Sequence, residues 1–266
     1  MKRVFFNFQG NAVLGVLAFL GTALELLLLA ALLVFLIATG RRRPARWAAL
    51  AAGGLVGVYA ALLLAHSALS RPQVAEVGEE KYFCEVDCHL AYSVTGVRRE
   101  KTLGPAGKEA GARGVFTIVT LKTRFDEKTI SPRRGDEPLT PNGRRIVVMD
   151  AQGRVHGSSP EGAAALKAVG GAITPLTTPL RPGESYTTTL VFDLPADIQA
   201  PRLLLMEAFP VTRFLIGHEN SFGHAKTVFL LEGEGLRRAA PHSTRTSAFP
   251  VPIFPVALSR TLTTTR

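Results

Sequence analysis

Two apolar runs near the N-terminus constrain this chain more than any other feature. Residues 12 to 39, AVLGVLAFLGTALELLLLAALLVFLIAT, carry one charge, Glu25, and residues 47 to 69, WAALAAGGLVGVYAALLLAHSAL, carry no Asp, Glu, Lys or Arg. An α-helix rises about 1.5 Å per residue, so about 20 apolar residues cross the hydrocarbon core of a bilayer. Both runs meet that length. The first exceeds the roughly 7–15-residue apolar core of a cleaved secretory signal, and a second run follows at once. The expectation is a transmembrane helical hairpin over residues 1–70, with spans at about 12–39 and 47–69.

Orientation follows from the connection GRRRPAR, which holds Arg41, Arg42, Arg43 and Arg46 and no acid. Short cationic loops stay on the cytoplasmic side, and this loop outweighs Lys2 and Arg3 at the N-terminus. Two crossings return the chain to the side it came from. Everything after residue 70 is therefore expected outside the cytoplasm, with the protein in a bacterial inner membrane. The net charge of +10 then reflects topology and a basic tail, and nucleic acid is not an expected partner. The expected partners are the lipid bilayer and another envelope or membrane protein. Glu25 lies near the middle of the first span, where a carboxylate is costly and usually faces protein. It is expected to bond across to the second helix, through Tyr59, or to contact another subunit. Gly53-x-x-x-Gly57 offers a small-residue face for close helix packing.

Residues 71–79 read as a polar linker. From 80 to 233 the pattern changes to short alternating segments broken by Gly, Pro and Asn, which predicts an antiparallel sandwich. GVFTIVTLKTRF places Val115, Thr117, Val119, Leu121, Thr123 and Phe125 on one face. RRIVVMDAQGRVHG reads as strand, turn at Asp150–Gly153, and strand. GESYTTTLVFDLP alternates with Tyr186, Thr188, Leu190, Phe192 and Leu194 on one side, and PRLLLMEAFP and AKTVFLLEG supply two more strands. SPEGAAALKAVGG is the one helical candidate, with Ser159 as cap, Pro160 in the first turn and Gly170–Gly171 at its end. Residues 125 to 145 form a long polar, Pro-rich loop at one end of the sandwich, and their acids read as solvated. Residues 234–266 are basic and Pro-rich, a composition that cannot build a core, and a disordered tail is expected there.

Taken together, the anchor, the linker, a first strand carrying YSVTGV, the GVFTIVTLKTRF strand, the VVMDAQGRVHG hairpin and LRPGESYTTTLVFDLP resemble a known pattern. It is that of the telokin-like immunoglobulin-fold domains of uncharacterised bacterial membrane proteins and lipoproteins. The resemblance spans residues 80 to 232 and implies an immunoglobulin-like β-sandwich in the cell envelope. It carries over no catalytic residues. The paired N-terminal spans and the Cys-x-x-x-Cys-His segment depart from the pattern.

That segment, KYFCEVDCHLAYSV at 81–94, contains both cysteines of the chain, Cys84 and Cys88, followed by His89. Tyr82, Cys84, Val86, Cys88, Leu90, Tyr92 and Val94 occupy alternate positions, so one continuous strand is predicted with these residues facing inward. Residues four apart in such a strand lie about 13 Å apart, whereas a disulfide needs Cα atoms within about 7 Å. An unbroken strand therefore forbids both an internal disulfide and shared ligation of one ion. Buried thiols fit that geometry, and a bulge at Glu85–Asp87 would permit a disulfide. The spacing also resembles the copper loops of the copper-binding cytochrome oxidase subunit and its thiol-bearing chaperones, though the proline expected after the second cysteine is missing. That resemblance implies a copper or zinc site drawn from Cys84, Cys88, His89, His218, His224 and Met206. No nucleophile elbow, phosphate loop or paired carboxylates accompany it. The sequence thus points first to a non-catalytic interaction or accessory domain without a cofactor, and second to copper or thiol handling in respiratory or metalloprotein assembly.

Overall fold

The computed structural model describes residues 3–84, 89–131, 133–171 and 173–231. Two apolar helices come first, α1 (Ala12–Ala38) and α2 (Arg42–Leu69). Asn11 caps α1 by accepting a hydrogen bond from the Leu14 amide, and Gly40 (φ 73°) makes the left-handed turn between the helices. Both helices are long and apolar enough to cross a membrane, and most of their surface is bare.

Two five-stranded sheets make up the rest. The first, in spatial order, contains β1 (Val4–Phe6), β3 (Glu80–Phe83), β4 (Leu90–Leu103), β5 (Ala110–Phe125) and β8 (Ser185–Leu194). The second contains β2 (Gln73–Ala75), β10 (Thr227–Leu230), β9 (Arg202–Glu207), β6 (Arg144–Met149) and β7 (Val155–His156). One core joins them, with Tyr92, Val94, Val119, Leu121, Phe125, Phe192 and Leu194 from the first sheet against Ala75, Val148, Leu203, Leu205 and Phe229 from the second. The alternating faces expected for β5 and β8 are the faces that line this core. A short helix, α3 (Pro160–Ala168), is capped by the Ser159 hydroxyl, which accepts from the Gly162 amide, and covers Phe116, Ile118 and Val191 on the outer face of the first sheet.

Three departures from expectation have physical causes. The sheets are mixed rather than purely antiparallel, because β1 pairs in parallel with β3 (Val4↔Glu80) and β2 with β10 (Gln73↔Thr227). Residues 4–6, expected with the hairpin, are thus an edge strand of one sheet, and Gln73–Ala75, within the expected linker, are an edge strand of the other. The segment 81–94 is not one strand either. β3 ends at Phe83 and folds back antiparallel on β4, with Lys81↔Tyr92 and Phe83↔Leu90 in register. The reversal changes the phase of the alternation: in β3 the core residue is Phe83, whereas in β4 the even-numbered Leu90, Tyr92 and Val94 face the core. The Glu85–Asp87 bulge and the 234–266 tail lie outside the described residues.

Candidate functional site at the hairpin–sheet junction

Residues 208–226, between β9 and β10, sit on the start of α1 and the end of α2. Their backbone approaches the helices closely because α1 presents a glycine there. A Cβ on Gly15 would stand 2.5 Å from the Ile216 carbonyl oxygen, so no larger residue fits without moving the loop. On the other helix the Tyr59 hydroxyl donates to the Phe214 carbonyl at 2.6 Å. Gln9 ties the two ends of the hairpin, its amide donating to the Gly217 carbonyl and its side chain exchanging hydrogen bonds with the Arg71 backbone. The Ala225 amide donates to the Ser70 hydroxyl at 2.8 Å, and the His66 and His224 rings stack at 6.0 Å. Contacts from both helices therefore hold the sheets on the hairpin.

Beneath this loop is an apolar cavity of about 420 Å³, lined on α1 by Phe19 and Leu26, on α2 by Val56 and Ala60, and on the loop by Phe214 and Phe222. The Phe214 and Phe222 rings meet edge to face at 5.8 Å and remain about half exposed, as does Phe209.

On the sheet side of the junction lies a buried polar cluster that sequence reading did not anticipate. The fully buried Lys81 ammonium donates to the carbonyls of Leu205 (2.7 Å) and Thr227 (3.3 Å) and pairs with Glu219 at 2.6 Å. Burial pushes its pKa down, against the pull of Glu219. Nearby, Glu207 accepts from Asn7 and lies 3.5 Å from Arg144 and 3.3 Å from His218. A second cluster flanks β3. Asp126, read as a solvated loop acid, is buried and accepts from Arg124, Tyr82 and the Lys128 amide, while Glu80 forms a two-pronged pair with Arg124. Charged residues on a short strand beside a hairpin turn gave no signal that they would face inward.

Of the expected metal residues, Cys84, His89, His218, His224 and Met206 are described, each in its own surroundings. Cys84 is disulfide-bonded and buried beneath Phe8 and Leu215. Cys88 lies outside the described residues. His218 approaches Cys84 through Asn7, whose Oδ1 accepts from the Cys84 amide and whose amide nitrogen lies 3.2 Å from His218 Nε2. Both His218 ring nitrogens are engaged, because Nδ1 accepts from the Asn220 amide at 2.9 Å. His89 stacks on Phe125 and bonds Thr129, His224 Nδ1 meets the Ala225 carbonyl, and Met206 packs with Val147, Leu204 and Val228. Among the described residues, no group of three or more His, Cys, Asp or Glu is placed to hold a metal ion.

In the hairpin, Glu25 is exposed on α1, and Tyr59, its expected partner, bonds the loop instead. Gly53 and Gly57 do not pack against α1. A Cβ added at either would meet nothing within 4 Å.

No protein family matches the chain, and no curated protein matches its sequence. Three solved structures are weakly similar. A conserved hypothetical protein from Bacillus anthracis shares 15% identity over 44% of this chain and 81% of its own, with a TM-score of 0.32. The secreted protein MPT63 of Mycobacterium tuberculosis shares 11% over 60% and 98%, and the YjhA protein of Bacillus subtilis 14% over 59% and 98%, each with a TM-score of 0.35.

Proposed function

We propose that the chain is a membrane-anchored accessory protein of the bacterial envelope. In this reading the hairpin lies in the inner membrane and holds an extracytoplasmic, telokin-like immunoglobulin-type sandwich that binds another membrane protein and catalyses nothing itself. Topology supports the anchor. β1 precedes α1 and β2 follows α2, and both pair with strands of the sheets, so both ends of the hairpin emerge on the sheet side. The four arginines lie at the opposite end, where cationic loops are retained. Removal of α1 as a signal would separate β1 from its sheet.

The observation that carries the partner is Glu25. Its carboxylate is exposed midway along an apolar helix, where a group facing lipid is costly unless another helix covers it. Gly53 and Gly57 leave α2 a second face open to close approach. Copper or thiol handling has less support, because Cys84 is held in a disulfide rather than offered as a thiolate and His218 has both nitrogens engaged.

The test is the size of the full chain extracted from its own membranes in mild detergent. The wild type is expected in a complex larger than itself, Glu25→Leu is expected to release it as a lone chain, and Glu25→Gln, which can still hydrogen-bond, is expected to retain it. A wild type that migrates alone, or a Glu25→Leu complex of unchanged size, would overturn the proposal.

A further inference from the structure

The cavity beneath residues 208–226 has no role in that reading. Its lining is mainly apolar, with Thr22 and Tyr59 the polar residues in it: the two helices of the hairpin form its walls, and Phe214 and Phe222 form its roof. Its volume, about 420 Å³, falls within the range of sites that hold small ligands, roughly 300–1,000 Å³. Val56, Leu64, Phe214 and Phe222 each remain about half exposed, so the space is an open groove that offers an occupant mainly carbon to touch. The site calls for an apolar occupant.

The path into it is also apolar. Val56, Ala60 and Leu64 line the cavity on α2, and Gly53 and Gly57 continue the same stripe at i, i+3, i+4, i+7 and i+11 spacing toward the arginine end. The two glycines have open space above them, so the stripe is a shallow trough leading out of the cavity along the outside of α2. The loop is held over it by the Tyr59–Phe214 hydrogen bond. Tyr59 stands ten residues before the end of α2, about 15 Å along the axis at 1.5 Å per residue. The roof rings therefore lie beside helix surface that is itself bare and apolar. A polar ligand arriving from solvent finds nothing to bind, whereas a hydrocarbon chain lying parallel to the helices meets a continuous surface from trough to cavity.

We propose that this cavity holds one acyl chain of a bilayer lipid, clasped between the hairpin and the Phe214–Phe222 loop. The proposal rests on the reading that α1 and α2 span the membrane. The test uses the full chain in nanodiscs made from a phosphatidylglycerol–phosphatidylethanolamine mixture, doped with a phospholipid that carries a photoreactive group on its acyl chain. Adducts are expected on the loop peptide containing Phe214 and Phe222. Ala60→Trp, which fills the cavity, is expected to lose the loop adducts while keeping those on the outward-facing Leu24, Leu27 and Leu28. Wild-type adducts confined to outward-facing residues would overturn the proposal, as would crosslinks showing the chain's own C-terminal segment in the cavity; neither result depends on the variant folding. Extraction from membranes by alkaline carbonate separates the two levels. A chain released by carbonate defeats the membrane reading, whereas a retained chain without loop adducts defeats only the acyl-chain site.

Discussion

Lys81 projects its ammonium from β3 onto the backbone of β9 and β10, so one side chain bonds across both sheets. All its donors are used, and Glu219 supplies the opposite charge. Removing one partner of such a buried pair costs about 3–5 kcal/mol, because the other charge remains buried without compensation. Glu219→Leu is expected to lose that much in denaturant unfolding of the full chain in detergent, and Lys81→Met with Glu219→Leu to recover most of it. Asp126 sets an acid limit. Burial opposes its ionisation, but hydrogen bonds from Arg124, Tyr82 and the Lys128 amide prevail and hold its pKa at about 2. A depressed carboxylate stabilises the fold above its unfolded value near 4 and loses that contribution as pH falls through the folded value. Asp126→Asn is therefore expected to be less stable than wild type at pH 6, by about 2 kcal/mol at roughly 1.4 kcal/mol per unit. The gap should close as both are titrated toward pH 2. Neither residue was legible from sequence: Asp126 sits among loop acids, and Lys81 shares with the core residue Phe83 a face that the single-strand reading had turned outward.

At the scale of elements, periodicity predicted best where strands were long. The buried faces of β5 and β8 were readable residue by residue, and α3 announced itself through Ser159, Pro160 and the closing glycines. The pattern misled at 81–94, where two short antiparallel strands presented one unbroken alternation. A period of two cannot reveal a reversal when both arms contribute apolar residues. The edge strands β1 and β2 were invisible for another reason. Three residues carry no periodic signal, and their pairing depends on the hairpin bringing them beside β3 and β10. The junction itself depends on Gly15, where helix and loop backbones nearly touch. Gly15→Val is expected to push residues 214–218 off α1 at a cost of about 1–3 kcal/mol, as for an overpacked core, and to speed proteolysis within 208–222. Gly21→Val, with nothing within 4 Å, is expected to leave proteolysis unchanged.

Across the whole molecule, hydropathy and charge carried most of the organisation: two apolar helices, a cationic connection, then β-structure to residue 231. What they did not carry was the docking of one part on the other. The polar composition of 71–79 suggested a tether, yet contacts through Gln9, Tyr59, Ser70 and β2 fix the sheets against the hairpin. The cavity belongs to neither part alone, since its walls come from the helices and its roof from a loop some 150 residues later in sequence. β1 adds an order of events to this arrangement. With α1 and α2 in a bilayer, Arg3 and β1 must be carried across it before they reach Glu79 and β3, and β3 is made only after both helices. The first sheet is thus completed last at this edge, by a segment translated before either helix and parked until its partner arrives. On the proposed membrane reading, assembly is a matter of timing as much as of sequence, and a bulky domain fused ahead of β1 is expected to block completion of the first sheet.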